Sequence, residues 1–224
     1  VNVPIAEIME KEFGIPTRVD NDVRCAALGE LNYGAGQGCD NLICITVGTG
    51  IGSGLVINGK LVRGASNAAG EIGHIKLDMN GGPLCGCGDR GCLEAFASGP
   101  SIVAMAEEYI KGGKSTKYRE LANPDITPYI VSEAAKQGDP VAKRIFTIVG
   151  EYIGIGLASV VNLLKPEKII IGGGVAAAGD LLLTPIKESL IKRAMPIAGS
   201  AVEIVPAQLG NSAGVIGASL LINS

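Results

Sequence analysis

The one histidine of this 224-residue chain, His74, opens an H-x10-C-x-C-x4-C pattern completed by Cys85, Cys87 and Cys92. One imidazole and three thiolates are the number and kind of donors that close a tetrahedral structural zinc site. Gly86, Gly88 and Gly91 allow the short loop to wrap around so small an ion. The competing readings are three unconnected reduced thiols, or a disulfide pair with one thiol left over. Four protein donors leave no position for water, so a metal held here is structural. Glu71 stands three residues before His74 and Glu94 two after Cys92, which would fix two carboxylates on either side of one loop. Buried carboxylates off the metal need hydroxyl, amide or cationic partners, and a polyhydroxylated ligand offers the first. Two solvated surface glutamates are the plainer alternative.

The chain is long enough for a substantial core and for one or two domains. Its apolar residues (47%) are mostly small or branched aliphatics, with 4% aromatics and 33 glycines, which suits tight turns and close helix–sheet packing. A net charge of −3 argues against a nucleic-acid or membrane-surface partner. Cys25, Cys39 and Cys44 have no disulfide-like spacing, so a reducing, cytoplasmic compartment is expected. No signal peptide or spanning segment stands out: the apolar stretch 42–57 is broken by Gly48, Gly50, Gly52 and Gly54, which fits strands better. Beginning at Val1 just before a helix-like segment, the chain reads as a piece of something longer.

Apolar spacing at Ile5, Ile8, Met9 and Phe13 predicts a helix from Pro4 to Phe13, stopped by Gly14. A short strand is expected at Thr17–Val19, leading to Asp20-Asn21-Asp22 and then a helix from Val23 to about Leu31. Asn41–Val47 reads as a buried strand running into GTGIGSG. Gly54–Ile57 and Lys60–Val62 form a hairpin about Asn58-Gly59. Residues 100–164 are mostly helical with a polar break near 112–125. A strand at Lys168–Ile171 ends in Gly172-Gly173-Gly174, followed by a helix at Leu181–Arg193, a strand at Val202–Val205 and a helix at Ser212–Ile222. The order predicts an α/β fold with a mixed sheet flanked by helices. Ligands of such folds gather at the carboxyl ends of strands, where Asn21-Asp22, GTGIGSG and GGG all fall.

GTGIGSG lacks the Lys-Ser/Thr of a Walker A loop and is followed by a strand rather than a helix, so it is no dinucleotide fingerprint. Its amides and the Thr49 and Ser53 hydroxyls can approach phosphate oxygens, although a plain glycine-rich hairpin is an equal reading. The GGG turn either admits an adenosine or lets a helix pack closely. Asp22 is the best candidate for a general base, at a strand-to-helix junction where it would face a cleft; a simple helix cap is the alternative.

The segments VDNDVRCAALGE, ITVGTGIGSGLVINGKLVRG, AGEIGHIKLD, CGCGDRGCLEAFASGP and IIIGGGV, in that order, resemble the ROK family of repressors and kinases across essentially the whole chain. The resemblance implies the actin-like ATPase (ribonuclease H-like) fold, with residues 1–40 ending a first lobe and 41–224 forming the second. Within that second lobe the zinc loop covers about 71–94 and the helical region 100–164. It implies that Asp22 is the base that deprotonates a sugar hydroxyl attacking ATP. Asn21, Asp22, Glu71, His74 and Glu94 would contact the sugar, and His74 would also ligate zinc with Cys85, Cys87 and Cys92. Gly48, Thr49 and Gly50 match the phosphate loop, and Gly173 and Gly174 the adenosine side, with Mg²⁺ accompanying ATP.

Two departures stand out. The family's N-terminal DxGGT-type phosphate loop is missing, so the isolated chain is expected to be weakly active at best. VDNDVR replaces the VENDAN of many relatives, changing Asp20, Val23 and Arg24 around the base but not the base itself. The leading expectation is an ATP-dependent hexose kinase, glucokinase first, with N-acetylmannosamine and N-acetylglucosamine kinases as rivals. The competing classes are a sugar-responsive repressor and a sugar-binding module without chemistry. The resemblance also implies a homodimer or higher homo-oligomer.

Overall fold

The computed structural model describes residues 3–114, 116–122 and 125–223. Helix α1 (Ile5–Phe13) ends where Gly14 takes a left-handed conformation, φ 65°. Its apolar spacing is helical as expected, yet none of its residues is buried. The strand expected at Thr17–Val19 does not form. A strand needs a neighbour for its amides, and here Thr17 N donates instead to Glu10 Oε1 (2.8 Å) while Val19 stays exposed. Helix α2 (Asp22–Tyr33) follows, with eight consecutive buried residues from Val23 to Glu30.

The sheet has the order β3-β2-β1-β4-β5. Strand β1 (Leu42–Val47) lies at its centre, antiparallel to β2 (Ile51–Ile57) and parallel to β4 (Lys168–Gly172); β5 (Glu203–Pro206) extends the parallel side. Asn58 and Gly59, both at positive φ, turn β2 into the short β3 (Lys60–Leu61), as the Asn-Gly pair predicts. The sheet is therefore mixed. Ile43, Ile45 and Val47 face one core while Leu42 and Cys44 face the other, so β1 is buried on both sides.

GTGIGSG is not a seven-residue loop, because β2 starts at Ile51 and only Gly48-Thr49-Gly50 turns the chain. The later glycines serve packing: a Cβ on Gly54 would lie 2.5 Å from Ala27 Cβ, so its absence lets α2 lie directly on the sheet. Helix α10 (Ala213–Leu220) packs beside α2 on that face.

The opposite face carries the helices of the central region: α3 (Leu93–Ala97), α4 (Gly99–Lys111), α5 (Lys117–Leu121), α6 (Pro128–Lys136) and α7 (Pro140–Leu164). Part of the expected polar break, residues 115, 123 and 124, lies outside the described residues; α5 occupies another part of it. Helix α7 is long and apolar enough to cross a membrane by composition (mean hydropathy 1.6), but half of that stretch is buried within the fold, as in a core helix. It packs along α8 (Asp180–Arg193), and the short α9 (Pro196–Gly199) leads to β5.

Candidate active site

An open cleft of about 1040 Å³ lies over the carboxyl ends of β1 and β4. Asn21, Asp22, Gly48, Thr49, Gly50, Glu71, His74, Glu94, Gly173 and Gly174 all line it, although they come from five separate stretches of chain. The structure thus brings together these candidates from the sequence; the three cysteines stand behind His74, and Ser53, also expected near phosphate, lies off the cleft with its hydroxyl donating to Gly70 O. It adds Glu30, Thr46 and the segment around Pro206 to Gly214, which carried no motif.

At the amino end of α2 it is Asn21, not Asp22, that caps the helix. Asn21 Oδ1 accepts from Val23 N (3.0 Å) and Arg24 N (3.2 Å). Asp22 is the first helical residue and accepts from Val23 N through Oδ1 (2.8 Å). The capping duty that competed with a chemical role for Asp22 therefore falls to its neighbour.

Glu94, in the first turn of α3, reaches across to the turn after β1. Its Oε2 accepts from Ile51 N (2.9 Å), and Cys85 Sγ lies 3.5 Å from its Oε1. Gly50 leaves room for this: a Cβ there would sit 2.4 Å from Glu94 Oε2. The turn is further held by Gly99 N, which donates to Gly48 O (2.7 Å). On the other side of the cleft Gly173 has φ 88° and lies against the backbone of Val47, where a Cβ would be 2.4 Å from the carbonyl oxygen. Only glycine meets both conditions. The fully buried Glu30 carboxylate collects Ala35 N (2.8 Å), Gln208 N (3.0 Å) and Leu209 N (2.8 Å), tying α2 to the segment that closes this end of the cleft. Cys44 beneath the cleft is no nucleophile: burial, with the Glu30 charge adding, pushes its thiol up to about 12.

The ligand atoms of His74, Cys85, Cys87 and Cys92 all lie within 4.8 Å of one another. A tetrahedral zinc with arms of about 2.3 Å to sulfur and about 2.05 Å to nitrogen has edges of about 3.8 and 3.6 Å. The Cys87–Cys92 Sγ separation is 3.8 Å and His74 Nδ1 lies 3.6 Å from Cys85 Sγ, so the donor set fits that ion. Burial pushes the Cys85 thiol up to about 12, whereas the backbone N–H of Asp89, chiefly, lowers Cys87. Lys76 Nζ, 3.2 Å from Cys92 Sγ, offsets part of the negative charge three thiolates would bring. The knot is closed by Cys85 N donating to Asp89 O (2.8 Å) and Leu93 N to Ile75 O (2.9 Å). With Nδ1 turned to the thiols, His74 has its other ring nitrogen for the cleft.

A mixed sheet flanked by helices, with a glycine turn after each of its two central parallel strands, is the architecture of the actin-like ATPase fold. The chain belongs to the ROK family, whose model matches residues 1–224. It is 42% identical to a glucokinase of Halalkalibacterium halodurans over 224 residues, 98% of this chain and 67% of that one. Its structure resembles a ROK family glucokinase from Streptomyces griseus in complex with glucose and AMPPNP (TM-score 0.86, 39% identity, 99% of this chain and 73% of that one). It also resembles a ROK family transcriptional regulator, a homolog of the E. coli MLC protein (TM-score 0.90, 32% identity, 98% of this chain and 55% of that one).

Proposed function

We propose that the full-length protein containing this chain is an ATP-dependent hexose kinase, with glucose as the substrate and its 6-hydroxyl as the nucleophile. The observation that carries this is the convergence of Asp22, the Glu71–His74–Glu94 group and the two glycine turns on one cleft. Asp22 would take the hydroxyl proton as the sugar oxygen bonds to the γ-phosphorus and the bond to the leaving ADP oxygen breaks. Asn21, Glu71, His74 and Glu94 supply acceptors and donors for the remaining hydroxyls. The amides of Gly48, Thr49 and Gly50 and the Thr49 hydroxyl would face phosphate oxygens, and Gly173 and Gly174 would leave the adenosine room. Mg²⁺ bound with the nucleotide supplies charge neutralisation on the phosphates. Zinc on His74, Cys85, Cys87 and Cys92 would fix the ring of His74 and the start of α3, and so the position of Glu94.

All six cysteines are free, consistent with a cytoplasmic enzyme using ATP. A second reading, a sugar-responsive regulator, is favoured by the likeness to the transcriptional regulator; there the same cleft would bind sugar and perform no transfer. Asp22→Asn in the full-length protein separates the two. The kinase reading expects glucose binding to persist while turnover falls by about 10²-fold or more. Turnover near wild type would remove Asp22 as the base.

A further inference from the structure

Asp20 and Arg24, two of the departures from the family pattern, are partners in space. Arg24 Nε lies 2.7 Å from Asp20 Oδ1 as an ion pair, off the line of a hydrogen bond, and the two side chains are only 9% and 4% exposed. Arg63 Nε approaches the other oxygen, Asp20 Oδ2, at 2.8 Å. Arg24 Nη1 then donates to Asn67 O at 2.8 Å. Asn67 holds a left-handed backbone conformation, φ 56°, which asparagine tolerates better than most side chains.

Arg63 and Asn67 belong to the irregular stretch between β3 and the 3-10 turn at Ile72–His74, a stretch exposed from Gly64 to Ala68. This loop delivers Glu71 to the cleft. Other anchors lie at its ends, where Val62 N donates to Leu55 O (2.8 Å) and Ser53 Oγ to Gly70 O. Its middle is held by Asp20 and Arg24, which flank Asn21 and Asp22 in the chain. None of Asp20, Arg24 and Arg63 lines the cleft.

On the reading of the cleft as a sugar site, we infer that Arg24 is a positioning residue: it joins the segment bearing Asp22 to the loop bearing Glu71, and so sets the sugar end of the cleft. The guanidinium suits this because its extended planar charge reaches both elements at once, pairing with the Asp20 carboxylate at Nε and donating a hydrogen bond to the Asn67 carbonyl through Nη1. A lysine is a point charge that can replace the first contact and not the second.

The test is calorimetric titration of glucose into the full-length protein, with thermal unfolding followed in parallel. Arg24→Ala weakens glucose binding by about tenfold, the scale of one charge-assisted hydrogen bond lost at a loop that touches the ligand. Binding of an ATP analogue changes by less than about twofold, since neither glycine turn is touched. Arg24→Lys restores most of the unfolding temperature through its pair with Asp20, but leaves glucose binding weak. A purely structural role predicts instead that glucose affinity recovers along with stability. Unchanged glucose affinity in Arg24→Ala and Arg24→Lys, equal losses for glucose and the nucleotide, or full recovery of glucose affinity in Arg24→Lys would each overturn the assignment. Because the readout is binding, absence of turnover in the wild type would count against the kinase and leave this result standing.

Discussion

Gly50→Ala isolates the contact between Glu94 and the turn after β1. The backbone at Gly50 is not in the positive-φ region, so alanine brings no conformational strain there. Its Cβ would, however, stand 2.4 Å from Glu94 Oε2 and 3.2 Å from Cδ, against ordinary contacts of 3.4 Å and beyond. The carboxylate end of a side chain can swing aside, so the main cost is the displaced bond from Ile51 N, 2.9 Å long and charge-assisted. Such a bond contributes about 1.5–3 kcal/mol. Glu94 is partly exposed, which brings the expected loss to about 1–2 kcal/mol, or about 2–8 °C in Tm for a protein of this size. If Glu94 also contacts the sugar, glucose affinity falls by about tenfold at the same time. The assay is a double-mutant cycle by thermal unfolding and glucose titration, with Gly50→Ala placed in wild type and in Glu94→Ala. The substitution should be nearly silent once Glu94 is gone. An equal penalty in both backgrounds would show that the turn and Glu94 do not communicate.

Cys87→Ser, on the exposed side of the cluster, should release zinc and weaken glucose binding together, read by metal analysis and titration; metal loss with unchanged sugar affinity would mean that the ion does not organise the site. Glu167 collects Asn41 N (2.8 Å) and Asp40 N (3.0 Å), and these bonds, Asn41 first, hold its carboxyl below the ordinary value of 4.5. A depressed folded-state value gives stability that is complete above the unfolded value and lost as pH falls through the folded one. Glu167→Gln should therefore lower Tm slightly at neutral pH, and the difference should shrink below about pH 4.5. A difference that grew on acidification would contradict that sign.

The parts of the fold legible in the chain were those where burial and turn chemistry agree. NLICITV and KIII are buried on both faces, and Asn58-Gly59 is a hairpin turn by residue type alone. Strand propensity at Thr17–Val19 misled, because a strand exists only beside another and no sheet edge reaches it. GTGIGSG was half loop and half strand: glycine signals a turn and a close helix contact with the same letter, and only the position of α2 separates Gly50 from Gly54. The candidate metal donors and the candidate base Asp22 are legible through short-range spacing and the family pattern. Glu30 carries no such sign, since its partners Gln208 and Leu209 are nearly 180 residues away and donate backbone amides that no motif records. Arg24 stands four residues after Asp20, a spacing that permits the pair, but nothing local signals that the same aspartate also holds Arg63, 43 residues further on.

Phosphoryl transfer to a hexose in this cleft is the reaction proposed for the full-length protein. Its most direct test is ATP-dependent phosphorylation by the full-length protein across glucose, mannose, fructose, N-acetylglucosamine and N-acetylmannosamine. Strong turnover with glucose preferred is expected, with collapse of that turnover in Asp22→Asn. Glucose binding with no phosphorylation of any of the five sugars would contradict it and point to the sugar-responsive regulator.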